Sequence, residues 1–428
     1  MSKTDTIEIY DLEHIQVDEK WCFKNTRSTE QWTHGYHRYP AKFLPNIVSK
    51  LIEEYAIDDS CIADIFAGCG TTLVEAKVHG KPSVGVDVNP VAQLITKVKI
   101  TALPPQQIID EYDKLIVTIE NFRPEDFKDI NVHERIDYWF YPEEKSKIAF
   151  LYKVIGEIEN EDFRNFFLVG LSNILKNCSR WLQSSTKPQI DPVKEPSEPF
   201  KSFNLQCKKM IKRNEAFFNY LQSKKYLDMP CEIKLEDARN TSLADNSIGT
   251  IITSPPYVTS YEYADIHQLT GFWFDYIKDL PNFRKEFIGT FYSNNCETTT
   301  TSTIGQEIVD DLLLKDVKKA REVANYFNDM NDVGKEMFRI TKPGGHACIV
   351  IGNTTFKGIK IKSAEVFLEI LLSAGFTKED VIKRSIPYKL IPAIRDKNTG
   401  KFTTLDNKNS KLVYPDEYIL IVKKELWQ

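Results

Sequence analysis

The sequence predicts an α/β fold in which helices cover both faces of a sheet and a mainly α-helical insertion interrupts it. Three observations predict it: short β-branched runs typical of buried strands, a strand–helix–strand unit in residues 61–90, and helical periodicity in residues 105–228. With 42% hydrophobic and 12% aromatic residues, the 428-residue chain has enough apolar side chains for a large core.

Charge and cysteine usage exclude several classes of protein. A net charge of -5 limits any nucleic-acid surface to a local patch. The eight cysteines include no CxxC pair, so neither a metal site nor a disulfide framework is expected. The first twenty residues are polar and acidic, and no apolar run is long enough to span a membrane. We therefore expect a cytoplasmic protein with reduced thiols.

The strand–helix–strand unit has the features of a nucleotide-binding turn. A strand leads to a glycine-containing turn, a helix through Lys77, and a second strand that ends at Asp87. Gly68 and Gly70 allow the backbone to approach a ligand, and Asp87 is placed to accept hydrogen bonds from ribose hydroxyls. The spacing differs from GxGxxG, and no GxxxxGK[ST] loop occurs. Nicotinamide and nucleoside triphosphates are therefore disfavoured as ligands.

The stretch TSPPY, residues 253–257, follows the apolar run 248–252 and predicts a rigid end to a central strand. Proline cannot continue a central ladder, and the Pro-Pro pair biases Ser254 toward extended geometry. Tyr257 then projects from the end of the sheet. An ordinary proline turn is the alternative interpretation. We call residues 253–257 the proline corner.

Taken together, four motifs resemble those of the S-adenosylmethionine-dependent DNA amino-methyltransferases, especially the SPPY group that makes N4-methylcytosine. The motifs are DIFAGCGTT (64–72), GVDVNP (85–90), KLEDARN (234–240) and TSPPY. A further segment, HGYHRYPAKFLP (34–45), resembles the one that closes over the methionine end of the cofactor. The resemblance implies a Rossmann-like class I methyltransferase sheet and S-adenosylmethionine as cofactor.

The resemblance also implies a set of cofactor-binding residues. They are Lys42, Phe43, Asp64, Phe66, Gly68, Gly70, Thr71, Asp87, Asp237 and Ala238. Asp87 is expected to hold the ribose and Asp237 to face the adenine amino group. Lys42 and Phe43 are expected near the methionine moiety. Two alternatives stay open: Asp64 simply caps the turn, and Phe43 belongs to the core at the start of a helix over residues 45–55.

The implied catalytic residues are Ser254, Pro255, Pro256 and Tyr257. An exocyclic amino group is a poor nucleophile because its lone pair is delocalised into the ring, so acceptors aimed at its hydrogens assist the reaction. The Ser254 hydroxyl and the Pro255 carbonyl are the expected acceptors. Tyr257 is expected to stack on a base rotated out of the duplex. No covalent nucleophile is required, so Cys231 is interpreted as a buried strand residue.

Residues 259–277 predict an aromatic helix beside the proline corner. Tyr261, with Glu262 and Asp265, is a candidate for the base pocket and for DNA contact, whereas His267 is interpreted as structural. Residues 284–308 are too polar to pack and predict a mobile loop that is a second candidate for DNA contact.

The long connection between the second and third strands predicts the insertion, residues 105–228, and a candidate DNA-recognition region. Residues 1–104 and 229–428 then form the two parts of the methyltransferase domain, and the proline-rich stretch 185–200 is a loop or hinge. Residues 176–225 carry eleven basic side chains against four acidic ones. Lys208, Lys209, Lys212 and Arg213 are the candidate DNA contacts. A solvated helix face is the alternative.

The predicted function is methyl transfer to cytosine N4 in double-stranded DNA, as the modification partner of a separately encoded restriction endonuclease. Adenine-N6 methylation of DNA is the second hypothesis. An RNA amino-methyltransferase and a non-catalytic DNA-binding subunit are further alternatives.

Overall fold

The computed structural model describes residues 11–24, 30–40, 42–124, 132–258, 263–290, 292, 297–386, 394–396, 403, 406–412 and 416–426. The strands are β1 (Cys61–Asp64), β2 (Ser83–Asp87), β3 (Cys231–Leu235), β4 (Ile248–Thr253), β5 (Thr341–Ile351), β6 (Thr354–Phe356), β7 (Ile359–Ile361), β8 (Thr377–Ser385), β9 (Ile394–Asp396), β10 (Ser410–Leu412) and β11 (Asp416–Lys423).

The α-helices are α1 (Pro45–Tyr55), α2 (Thr71–Val78), α3 (Pro90–Ile100), α4 (Pro105–Glu120), α5 (Arg135–Trp139), α6 (Pro142–Gly156), α7 (Glu161–Leu175), α8 (Pro199–Lys224), α9 (Tyr263–Ile266), α10 (Gln268–Trp273), α11 (Leu280–Lys285), α12 (Thr303–Leu313), α13 (Val317–Ile340) and α14 (Ser363–Ala374). Three short 3-10 turns precede α1, at Leu12–His14, Glu19–Trp21 and Trp32–Gly35. Among the described residues, no helix has the length and apolar character needed to cross a membrane.

Seven strands form the main sheet in the order β3-β2-β1-β4-β5-β11-β8. The first five in this order pair in parallel, whereas β11 runs antiparallel to both of its neighbours. This arrangement confirms the predicted Rossmann-like methyltransferase fold. The strand order reverses between β1 and β4, and the carboxyl ends of parallel strands at such a point form a crevice that suits a ligand.

Alternate residues of the central strands face two different cores. In β4, Ile251 packs with α13 and α14, whereas Ile252 packs on the opposite face with α1. This period of two is the expected result of the pleat in a strand that is buried on both sides. The predicted helices on both faces of the sheet are therefore confirmed.

Local signals account for several helix starts and ends. Asn89 caps α3, since its Oδ1 accepts a hydrogen bond from the Val91 N–H (3.0 Å), and Pro90 is the first helical residue. Gly375 ends α14 with a φ of 117°.

The Pro-Gly-Gly stretch, residues 343–345, has a sequence that is typical of a turn. It lies within β5, where the pairing with β4 shifts register between Ile248 and Thr250. Gly344 has a φ of 82°, and a Cβ on Gly345 would lie 2.7 Å from the Gly249 carbonyl oxygen. The glycines therefore permit a bulge that lets the backbones of two central strands approach closely.

The insertion is helical, as predicted, and contains α4 to α8. Its apolar side chains join a single hydrophobic cluster with α3 and with the segment that follows the proline corner, including Ile95, Phe166 and Phe272. The proline-rich stretch contains no regular element between residues 183 and 197 apart from a bridge between Ile190 and Trp181. The insertion thus packs on α3 and on the segment that follows the proline corner.

Candidate active site

A cleft that is partly open to solvent lies at the carboxyl ends of β1, β2 and β4. Nine of the ten predicted cofactor residues line it; Gly70 does not. Ser254 and Pro256 of the proline corner line the same cleft. The structure therefore brings the predicted cofactor segments and the predicted catalytic segment together, and we call this space the cofactor cleft.

Gly68 and Gly70 shape the turn between β1 and α2. Both have positive φ, 51° and 75°, and Gly70 is the left-handed N-cap of α2. A Cβ on Gly70 would lie 2.6 Å from Thr96 Cγ2, whereas one on Gly68 would lie 3.5 Å from the Tyr39 hydroxyl oxygen. Gly70 is thus required by packing, and Gly68 is the glycine that borders the cleft.

Asp64 ends β1 and is almost fully buried. Its Oδ1 accepts hydrogen bonds from the Thr253 hydroxyl (2.6 Å) and from the Phe66 N–H (3.1 Å). Burial raises the pKa of its carboxyl to about 6, and the hydroxyl and amide donors oppose that shift. Asp64 therefore both caps the turn and joins β1 to the proline corner.

Asp87 ends β2 and holds the glycine turn. One carboxylate oxygen accepts from the Gly68 N–H and the other from the Asn89 N–H, each at 2.8 Å. Burial raises the pKa of this carboxyl to about 6 as well. Each oxygen of a carboxylate has a second lone pair, so these bonds leave Asp87 able to accept from a ligand.

Asp237 lines the cleft as predicted, but it is engaged by a neighbour that the sequence analysis did not consider. Arg239 donates from Nε to both carboxylate oxygens of Asp237, each at 3.0 Å, and pairs through Nη1 with Asp329 (2.7 Å). The two carboxylates hold the pKa of the arginine above its usual range. A ligand that hydrogen-bonds to Asp237 therefore shares its carboxylate with the Arg239 guanidinium. Ala238 is buried beside it.

The segment before α1 forms the opposite wall. Lys42 Nζ donates to the His34 carbonyl (3.4 Å), and Phe43 borders the cleft while packing against the core beneath α1. Both interpretations of Phe43, ligand contact and core residue, are therefore compatible with its position.

Tyr39 is the clearest residue that the sequence analysis missed. Its ring lies against Gly68, lines the cleft, and is 4.8 Å from the ring of His267. The signal was present, because Tyr39 belongs to the same YPAKF stretch as Lys42. The lining residues Glu286, Phe287 and Ile288 were missed without any such signal, because only the chain path brings them to the cleft.

Two side-chain hydroxyl groups hold the proline corner in place. The Ser254 hydroxyl donates to the Val350 carbonyl (3.0 Å), and the Tyr326 hydroxyl donates to the Pro256 carbonyl (2.8 Å). Pro255 is buried. Because the single hydroxyl hydrogen of Ser254 is committed to β5, the remaining lone pair of its oxygen can act only as an acceptor.

Tyr257 lies beside the cleft and does not line it. A Cβ on Gly352 would lie 3.0 Å from Tyr257 Cε2, so a glycine is needed for the ring to pack there. The Tyr257 hydroxyl donates to Glu417 Oε2 (3.0 Å), and Glu417 forms a buried ion pair with Arg384. Residues of β8 and β11 therefore fix the orientation of the Tyr257 ring.

Several predictions beside the corner have different outcomes. Tyr261 and Glu262 lie outside the described residues. Asp265 is paired with Arg284 (2.6 Å), which makes it unsuited to bind a base freely. The expected single aromatic helix is two short helices, α9 and α10, separated at His267. Short helices with a break at His267 let the chain turn around the cleft.

His267 is buried, and its Nδ1 is 3.1 Å from Asn89 Nδ2. Burial lowers its pKa to about 4, so the ring is neutral at physiological pH. Cys231 begins β3, half-buried, with its Sγ 3.0 Å from the Ser83 hydroxyl. These positions agree with the structural interpretation of both residues.

The polar run in residues 284–308 was expected to be mobile, and its described part is held in place. The Thr300 N–H donates to Gln306 Oε1 (2.9 Å), Asn328 donates to the Thr299 carbonyl (2.9 Å), and Ser302 caps α12. Side chains from α12 and α13 satisfy this backbone, which is why a polar segment packs here.

The candidate DNA contacts on α8 fall into two groups. Lys208, Lys209 and Lys212 are exposed. Arg213 packs against Gly35, where a Cβ would lie 2.5 Å from its guanidinium carbon, and pairs with Glu30 (3.4 Å). Arg213 therefore supports the segment that leads to Lys42, a packing role that the sequence did not reveal.

The residues present fit S-adenosylmethionine. A glycine turn without side chains borders the cleft, carboxylates end β1 and β2, and Lys42 provides a positive charge on the opposite wall. These groups match a ligand that has ribose hydroxyls, a cationic sulfonium and a carboxylate. In the part of the chain that the structure describes, no cluster of side chains could hold a metal ion.

Comparisons with known proteins agree with this geometry. A family model described as DNA methylase matches residues 3–97 and 248–428, and it leaves out the insertion and β3. The Type II methyltransferase M.MvaI of Kocuria varians is 26% identical over 442 residues, covering 94% of this chain and 93% of the relative. The Type II methyltransferase M.BsoBI of Geobacillus stearothermophilus is 23% identical, covering 86% of this chain and 83% of the relative.

A solved structure of a SAM-dependent methyltransferase from Methanosarcina mazei covers 88% of this chain and 98% of its own, at 10% identity and a TM-score of 0.30. At that score the fold assignment rests on the strand order of the present sheet. The match to the family model covers most of the chain, including the glycine turn and the proline corner. We conclude that the chain is a member of the DNA methylase family, with S-adenosylmethionine as its cofactor.

Proposed function

We propose that this methylase transfers the methyl group to the exocyclic N4 of a cytosine rotated out of duplex DNA. One observation supports this proposal above all. Asp64 and Asp87 line the cofactor cleft together with Ser254 and Pro256 of the proline corner. A methyl donor held by the first pair would lie next to acceptors supplied by the proline corner. Serine before the Pro-Pro pair favours cytosine, by resemblance to the SPPY group.

The chain's residues act mainly by orientation. The Ser254 oxygen and the Pro255 carbonyl accept hydrogen bonds from the amino group of the base, which localises its lone pair on nitrogen. The bond from Ser254 to the Val350 carbonyl and the bond from Tyr326 to the Pro256 carbonyl keep the backbone of the proline corner in place. Tyr257 offers a ring face on which the base stacks. Holding both reactants in line lowers the barrier, and no covalent intermediate is needed.

When bound, S-adenosylmethionine supplies a methyl group on a sulfonium. The amino nitrogen forms the new C–N bond as the S–C bond breaks, and the nitrogen then releases one proton to solvent. In this proposal Asp87 accepts hydrogen bonds from the ribose hydroxyls, and Asp237 accepts one from the adenine amino group. Lys42 and Phe43 contact the methionine end of the cofactor. Phe66, Gly68, Thr71 and Ala238 shape the cleft, and Gly70 holds the turn.

The proposed biological setting is a restriction–modification system with a separately encoded endonuclease. The names of the two relatives, both Type II methyltransferases that match over most of their length, support it. Because the substrate would be genomic DNA and the described cysteines are free thiols, the proposed location is the cytoplasm. The exposed lysines of α8 and the insertion are the proposed DNA-recognition side.

The test is to incubate the purified protein with labelled S-adenosylmethionine and mixed-sequence duplex DNA, then digest and identify the labelled nucleoside. N4-methylcytosine is the expected product. A Ser254→Ala variant, which removes one acceptor and little volume, should lower its yield while cofactor binding persists. N6-methyladenine as the sole product would overturn the choice of base in favour of the second hypothesis. Label in RNA alone would refute the DNA substrate.

A further inference from the structure

We propose that three neighbouring cations, Arg38, Lys176 and Lys194, attract the phosphates of the DNA duplex, and that the exposed Arg38 makes the direct contact. We call them the basic strip. The inference rests on the proposed function, because it takes duplex DNA as the substrate. Arg38 lies outside the insertion, so the strip joins the methyltransferase part of the chain to the insertion.

The first member is fixed at the edge of the cleft. Arg38 directly precedes Tyr39, which lines the cleft. The Arg38 N–H donates to Asn173 Oδ1 (2.8 Å), and the ring of His37 is bonded to the Ser172 hydroxyl (2.9 Å), so this segment is attached to the last turns of α7. The side chain of Arg38 is exposed. A guanidinium is therefore presented to solvent next to the predicted reaction site.

The two lysines are held together just beyond α7. Lys194 Nζ donates to the carbonyls of Lys176 and Trp181, each at 2.8 Å, and to Gln183 Oε1 (3.5 Å). Lys176 Nζ donates to the carbonyls of Ser185 (2.8 Å) and Gln183 (3.2 Å). These partners are neutral oxygens, which orient the ammonium groups without cancelling their charge. The loop after α7 thus concentrates positive charge on one surface.

The three charges influence one another. Burial and then the charge of Arg38 lower the pKa of Lys176, and burial and then the charge of Lys176 lower the pKa of Lys194 to about 8. Asp191 has a smaller, opposite influence on Lys194. Within the described ranges, none of the three cations forms an ion pair, although the chain as a whole is acidic.

Such crowding of like charges is unfavourable until an anion binds. Duplex DNA has one negative charge per roughly 1.7 Å of its axis, so it can neutralise several neighbouring cations at once. The fork of an exposed arginine also matches the geometry of a phosphate. Both properties favour a polyanionic backbone as the partner of the basic strip.

Arg180 extends this surface from the same loop. Its guanidinium lies 5.0 Å from the ring centre of the exposed Tyr141, and its Nε is buried without a hydrogen-bond partner in the described structure. The Asp191 N–H donates to the Arg180 carbonyl (2.8 Å), which ties it to the loop that contains Lys194. An arginine next to an exposed aromatic ring suits contact with a nucleic acid.

The experiment compares Arg38→Gln with Arg38→Lys in the full-length protein. Binding of a labelled 30-base-pair duplex is followed by fluorescence anisotropy between 50 and 200 mM salt. Loss of one phosphate contact should reduce the slope of log affinity against log salt by about 0.9, and Arg38→Lys should preserve it. Arg321→Gln is the matched control, because Arg321 is equally exposed on α13.

An unchanged slope in Arg38→Gln, or an equal loss in the Arg321 control, would overturn the basic strip. A slope change with single-stranded RNA and none with duplex DNA would also overturn it. The readout does not depend on methyl transfer. If the slope falls as expected while the wild-type protein labels no cytosine, the strip stands and the proposed choice of base fails.

Discussion

Replacing Tyr257 by alanine tests whether its ring supports the target base. The ring is separate from the cofactor cleft, so the variant should bind S-adenosylmethionine with nearly unchanged affinity. Stacking of a base on an aromatic side chain contributes about 1–3 kcal/mol. Loss of that contribution in the transition state corresponds to a fall in kcat/KM of about 5- to 150-fold.

The Tyr257→Phe variant tests the ring separately from the hydroxyl group that bonds to Glu417. The variant keeps the stacking face and removes the hydroxyl that donates to Glu417, whose charge remains paired with Arg384. We expect a loss of about 1–2 kcal/mol in the free energy of unfolding, and turnover within about threefold of the wild type. The phenylalanine variant is therefore the control for the role of the ring itself.

The assay combines single-turnover methylation of a short duplex with calorimetric titration of the cofactor and a thermal unfolding curve for each variant. Truncating a buried aromatic ring costs up to about 3–5 kcal/mol, so the alanine variant is measured well below its Tm. Equal losses of cofactor affinity and turnover in a folded Tyr257→Ala protein would refute the separation of the two sites.

Three further predictions follow from the site. The Gly70→Ala variant should unfold at lower temperature and bind the cofactor poorly, because the left-handed φ is unfavourable for alanine and Thr96 occupies the space of a Cβ. A Tm equal to that of the wild type would contradict this prediction. Cofactor affinity should fall as pH drops through about 6, where the coupled carboxyls of Asp64 and Asp87 become protonated. Titration calorimetry from pH 5 to 7.5 measures this affinity, and an affinity independent of pH would exclude a role for the two carboxyls in binding. Charge reversal of the three exposed lysines on α8 should weaken DNA binding and flatten its salt dependence, with an unchanged slope arguing against contact there.

The same two carboxyls set the sign of a stability effect in the cofactor-free protein. Their folded pKa values, about 6, lie above the ordinary value of 3.8. The folded state therefore binds more protons than the unfolded state between these values, and their contribution to stability increases as pH falls from about 6 towards 4. Acidification from about pH 6 towards 4 should thus weaken cofactor binding, while these two carboxyls increasingly stabilise the folded protein.

Local patterns were enough to predict the elements that carry the site. The β-branched runs predicted β1, β2 and β4, and the glycine turn and the proline corner marked where two of them end. Since parallel strands end at one edge of a sheet, Asp64, Asp87 and Ser254 could be expected to meet there. The local signals determined these positions because each depends on backbone geometry within a few residues.

Contacts between distant segments decided the rest. The ion pair of Arg239 with Asp329, the hydrogen bond of Tyr257 to Glu417 and the packing of Arg213 on Gly35 each join side chains whose relative positions depend on the whole chain path. By itself, the sequence determined the fold class, the family resemblance and the strand ends that form the cleft. Only the tertiary structure decided which charges are paired, because pairing depends on distances in space that no local pattern encodes.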